Sequence, residues 1–92
     1  MTKTVLVAQI RAARALIGLP QEELAELAGV GPRTMSRIEL GETVRPASFE
    51  AVVNALESRG IEFIEENGGG AGVRLRRSAK RVAAPKQKQS AP

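Results

Sequence analysis

The chain contains no cysteine, histidine, aspartate, tyrosine or tryptophan, and its only aromatic residues are two phenylalanines. Each absence removes a class of chemistry. Without cysteine there can be no disulfide staple and no thiolate nucleophile, which fits a reducing cytoplasm. Without histidine the usual zinc ligand and the usual general base are both missing, so neither a metal nor a cofactor is expected. An enzyme is disfavoured on the same grounds. Two aromatic side chains also make a poor stacking platform for single-stranded nucleic acid. The first apolar run, Val5 to Ala8, is closed by Gln9 and Arg11, too short for a signal-peptide core or a membrane span.

Charge is present but unevenly placed. Residues 1–60 hold seven Lys/Arg and seven Glu, whereas residues 61–92 hold seven Lys/Arg against three Glu, so the whole net charge of +4 lies in the second part. The overall basicity therefore says nothing about the first 60 residues. A globular part of roughly 60–75 residues buries only a modest share of its surface, which favours marginal stability or oligomerisation.

Four glycines, Gly18, Gly29, Gly41 and Gly60, each follow a segment with helical apolar spacing, as residues taking the left-handed conformation after a helix do. The first segment, about Thr4 to Ile17, sets Leu6, Ile10, Ala13 and Ile17 on one face, with Thr2 or Thr4 as a cap. The second, Gln21 to Ala28, turns Leu24, Leu27 and Ala28 inward and leaves Glu22, Glu23 and Glu26 to water. The third opens on Gly31 and Pro32, a cap followed by a first-turn proline whose missing N–H costs nothing there. Its inward pair is Met35 and Ile38, while Arg33 and Arg37 share another face with Thr34 and Ser36 flanking them. The fourth, Ser48 to Arg59, carries Phe49, Val52, Val53 and Leu56 as a core-facing stripe, with Ser48 as its cap.

After Gly60 the period changes to two. Residues 61–65 and 73–76 alternate around the Gly-rich segment 67–72, which predicts a β-hairpin. From Arg77 onward the composition is that of a disordered basic tail. The expected division is thus residues 1–60, residues 61–76 and residues 77–92.

Residues 21–41, QEELAELAGVGPRTMSRIELG, resemble the helix-turn-helix of the phage-repressor and Xre family of transcriptional regulators (Cro/C1 type). The likeness runs from about Ile10 to Leu56 and joins several features: Gln21 opening the second helix, Ala25 where helices cross, Gly29 in the turn, Val30 after it, Ile38 and Glu39 before Gly41, and Arg45-Pro46 leading into the fourth helix. It implies a mainly α fold, a four-helix lambda-repressor-like domain with a C-terminal β-hairpin. It further implies sequence-specific binding of double-stranded DNA, with helix 32–40 in the major groove. Arg33, Thr34 and Arg37 would then face base edges, with Gly31, Pro32 and Ser36 beside them and Gln21 and Arg45 on phosphate. By the same likeness Arg14 and Glu39 would form a partly buried ion pair with a structural role.

The sequence departs from the family pattern in places. Pro20 and Gly31 stand where Ser or Thr is usual, Pro32 can meet only an apolar base edge, and Glu42 puts an anion just after the third helix. Ile61, Phe63, Val73 and Leu75 either build a sheet between two copies, giving a homodimer on an inverted-repeat operator, or cover the domain's own core. The tail either adds salt-sensitive attraction to DNA or only solubilises. Alternatives to a repressor in the cytoplasm, associated with the nucleoid, are an antitoxin-type autoregulator and a protein-interaction module of the same fold. No small-ligand pocket is foreseen.

Overall fold

The computed structural model describes residues 5–76. It contains helices α1 (Val7–Ile17), α2 (Gln21–Ala28), α3 (Pro32–Glu39) and α4 (Pro46–Ser58), then strands β1 (Ile61–Ile64) and β2 (Gly72–Leu75). The expected mainly helical fold with a C-terminal hairpin is what the chain adopts. The basic tail, and Thr2 and Thr4 as caps, lie outside the described residues.

One core joins all six elements. Ile10 and Ala13 of α1, Leu24 and Ala25 of α2, Met35 and Ile38 of α3, and Val52, Val53, Ala55 and Leu56 of α4 meet Ile61 and Phe63 of β1, and the partly buried Val73 of β2 packs against them. Nearly full burial of Ala25 allows α2 to approach its neighbours closely, since a larger side chain would hold the helices apart. Gly18, Gly29, Gly41 and Gly60 all have positive φ, as their positions after apolar segments predicted. At Gly29 the requirement is sharpest. Its φ of 73° lets the chain turn within the three residues between α2 and α3, and its N–H donates to the carbonyl of Glu26 at 3.2 Å.

Several local expectations differ. Helix α1 starts at Val7, with Leu6 as cap, and Leu6 is about half exposed rather than inward. The reason is the buried Gln9, whose side-chain oxygen accepts the Leu6 N–H at 2.7 Å and so caps the helix three residues upstream of itself. Leu27 is also largely exposed, because α4 and α3 cover the Leu24–Ala25 side of α2 instead. Helix α4 begins at Pro46 with Arg45 as cap, and Ser48 sits inside its first turn. Proline at the first position starts the helix without needing a side-chain cap.

The hairpin is antiparallel, with Ile61 opposite Leu75, Glu62 opposite Arg74, Phe63 opposite Val73 and Ile64 opposite Gly72. Alternation therefore places Ile61, Phe63, Val73 and Leu75 on one face. Ile61 and Phe63 are buried, Val73 packs against the core, and Leu75 remains partly exposed. That face covers the domain's own core. Glu62 and Arg74 pair on the opposite, solvated face at 3.0 Å. Gln9 then ties the hairpin to α1: its Nε2 donates to the carbonyls of Ile64 (3.1 Å) and Gly72 (2.8 Å).

Candidate nucleic-acid interface

The rotation of α3 is set by what it buries. Met35 and Ile38 enter the core, and Glu39 is buried beside them. Pro32, Arg33 and Arg37 consequently face solvent, and Thr34 and Ser36 lie half-buried on the flanks. Arg33 and Arg37 are one turn apart, about 6 Å along the axis, so their guanidinium groups leave the same side of the helix. With Gly31 as cap, the first N–H groups of α3 have no partner within the helix and point the way its N-terminus points.

A depression of about 630 Å³ lies beside α3 and gathers Gly31, Thr34, Arg37 and Arg45 on its lining, with Thr43, Val44 and Ser48 among its other walls. Four of the eight expected site residues thus converge. Pro32, Arg33 and Ser36 belong to α3 but not to this depression, and Gln21 stands at the start of α2.

Gln21 is not idle there. Its Nε2 donates to Glu39 Oε1 at 3.0 Å. Glu39 also accepts from Arg14 through Nε at 2.7 Å and through a terminal nitrogen at 2.9 Å, a two-pronged ion pair of the kind the family resemblance implied. Burial pushes the Glu39 carboxyl up, but the hydrogen bonds from Arg14 and Gln21, together with the positive charges of Arg14 and Arg11, outweigh it and hold the group below its ordinary value. Donating to Glu39 in turn raises the Arg14 guanidinium above its ordinary value despite its own partial burial. Arg14 also donates to the carbonyl of Leu19 at 3.0 Å, and Arg11 to that of Glu39 at 2.6 Å. Together these bonds clamp the C-terminal end of α3 to α1 and to the start of α2. The clamp fixes where the exposed face of α3 points.

Arg37 is held as well. Its Nε donates to Glu42 Oε1 at 3.2 Å, with both side chains about half exposed, and the Glu42 N–H donates back to the Arg37 carbonyl at 2.9 Å.

Sequence reading overlooked Gln9, Arg11 and Arg76. The backbone N–H of Arg76 donates to Gly60 at 2.8 Å, and its guanidinium reaches the carbonyls of Ile61 and Glu57. Only Gln9 left a signal, a glutamine at the third helical position, and without a hydroxyl cap before it the pattern is faint. A small-ligand pocket was not foreseen either, yet a cavity of about 730 Å³ opens along α4 with Val5, Val44, Phe49 and Val53 on its floor and Glu42, Glu50 and Glu57 around it. It is larger than the depression beside α3. Its carboxylates would repel a polyanion, so the arginine-lined depression is the one whose charge suits nucleic acid.

Compared with known protein families, residues 10–63 match the helix-turn-helix model of the Cro/C1 type, more than half of the chain. No curated protein matches the chain.

Proposed function

Because the chain belongs to the Cro/C1-type helix-turn-helix family, whose members are DNA-binding regulators, we propose that it reads a specific duplex sequence by laying α3 in the major groove. One observation carries the reading: Met35, Ile38 and the clamped Glu39 bury the inner side of α3, and Arg33 and Arg37 are left together on its outer side. A ridge of this kind fits the major groove, and an arginine bidentate to guanine O6 and N7 supplies about 1–3 kcal/mol of discrimination. In this reading Arg33, Thr34 and Arg37 meet base edges, Pro32 an apolar edge such as a thymine methyl, and Gly31 and Ser36 the flanking contacts. Arg45 and Gln21 meet phosphate. Gln21 can serve both partners, since an amide nitrogen has two protons and Glu39 takes one.

The protein acts as a homodimeric repressor on an inverted repeat, within the cytoplasm and on the nucleoid. Residues 1–60 bind DNA, residues 61–76 join two copies, and residues 77–92 add sequence-independent attraction that falls with salt. Since Ile61 and Phe63 fill the domain's own core, pairing of two copies uses a strand edge of the hairpin rather than its apolar face. No helix among the described residues is long and apolar enough to cross a membrane.

Selection from a random duplex pool tests the reading. It returns one sequence preference, arranged as half-sites about 34 Å apart if two copies bind together. Replacing both Arg33 and Arg37 with Ala then lowers affinity for the selected duplex at least about tenfold and makes its salt dependence shallower. Unchanged affinity and slope in that double variant would show that α3 does not touch DNA.

A further inference from the structure

Three arginines, Arg33, Arg37 and Arg45, surround the candidate interface, and they are not equivalent. Of these three only Arg37 has a carboxylate partner among the described residues, Glu42; Arg33 and Arg45 form no ion pair there. The Arg37–Glu42 contact is built into the turn that ends α3. The backbone bond from Glu42 N–H to the Arg37 carbonyl, at 2.9 Å, fixes the two residues relative to each other, so little further ordering is needed for the side chains to meet.

The way they meet matters chemically. A guanidinium has five N–H donors. Glu42 Oε1 takes the Nε–H at 3.2 Å, and no other acceptor bonds Arg37 among the described residues. The two terminal nitrogens are therefore left together at the end of the side chain, aligned for an acceptor pair such as guanine O6 and N7. The carboxylate also nearly cancels the Arg37 charge as seen from a distance. A phosphate is attracted chiefly by charge, whereas a guanine edge is recognised by directed hydrogen bonds that survive such cancellation. Glu42 thus weakens Arg37 as a grip on backbone while keeping it aimed as a reader.

We infer that Glu42 is a positioning residue for Arg37, one that turns this arginine from a phosphate anchor into a base reader and so raises sequence discrimination at the expense of raw affinity. The inference rests on the reading role of Arg37 proposed above. It gives a purpose to an anion placed where a DNA-binding surface would otherwise favour a cation.

The test compares binding of the full chain to the duplex selected from a random pool and to a scrambled duplex of equal length, by fluorescence anisotropy across a salt series. Glu42→Ala raises affinity for scrambled DNA and steepens its salt slope by about one unit, the value of one extra neutralised phosphate. The ratio of selected to scrambled affinity falls about fivefold or more, the lower end for one guanine contact. Glu42→Gln keeps an oxygen for Arg37 Nε, so it shows the same steeper slope but recovers part of the ratio. In an Arg37→Ala background, Glu42→Ala changes both affinities together and leaves the ratio where it was. An unchanged ratio in Glu42→Ala, or an equal fall with Arg37 already removed, overturns the positioning role. Arg37→Ala keeping the full preference for the selected duplex would overturn the reading role of Arg37 itself, and the inference with it.

Discussion

Replacing Gln9 with Leu removes three hydrogen bonds at one stroke while nearly preserving side-chain volume. The wild-type amide accepts from Leu6 N–H and donates to the carbonyls of Ile64 and Gly72, so each of its polar atoms is used. A net intramolecular hydrogen bond contributes about 0.5–1.5 kcal/mol, and the cost rises when a shielded partner is stranded. Leu6 is exposed enough for its N–H to find water, but the two carbonyls sit half-buried behind α1. About 3 kcal/mol is lost, of which the extra apolar burial of leucine returns about 1 kcal/mol. The remaining loss of about 2 kcal/mol is severe for a domain of this size, whose whole stability is roughly 4–10 kcal/mol. Thermal unfolding followed by far-ultraviolet circular dichroism should show a midpoint roughly 8–16 °C lower. Amide exchange adds a local signature: protection at Glu62 and Arg74, which face each other in a hydrogen-bonded pair of the ladder, falls before that of Leu24 in α2, because the hairpin loses its tie to α1 while α2 keeps its packing. A midpoint within about 2 °C of wild type, with hairpin protection unchanged, would refute the argument that this amide fastens the hairpin to the helices.

The Glu39 clamp predicts a pH dependence. Its carboxyl lies below the ordinary value of 4.5 in the folded chain, so the stability it confers is present above that value and is lost as pH falls through the lower folded one. Urea melts between neutral and strongly acid pH should show wild type losing more stability than Glu39→Gln below about 4.5, with the variant weaker by about 2 kcal/mol at neutral pH; parallel acid limbs would contradict the linkage. At Gly29, an added Cβ would meet no atom within 4 Å, so Gly29→Ala tests backbone conformation alone. The left-handed φ of 73° makes a loss of about 1 kcal/mol the expected result. A chemical denaturation midpoint equal to wild type would show that the turn relaxes.

Features set by neighbours along the chain were legible without coordinates. Helix ends at Gly18, Gly29, Gly41 and Gly60 follow from backbone freedom at those single positions, and the inward Met35 and Ile38 follow from helical spacing. The exposed placement of Arg33 and Arg37 came with them, because a short helix that buries one side must show the other. The Arg14–Glu39 pair was reached through family likeness rather than through spacing, since 25 residues separate its members.

The helix-turn-helix order, the hairpin and the candidate reading face were thus determined by local patterns in the sequence. Tertiary structure alone decided which apolar residues actually found cover. Leu6 and Leu27 satisfy helical spacing, yet no neighbouring element reaches far enough over them to exclude water. It also decided the polar connections. Gln9 meets carbonyls 55 and 63 positions away, and Gln21 meets Glu39 across 18. A hydrogen bond depends on ångström placement of two groups, and periodicity carries no information about which distant atoms will face each other once the core has closed.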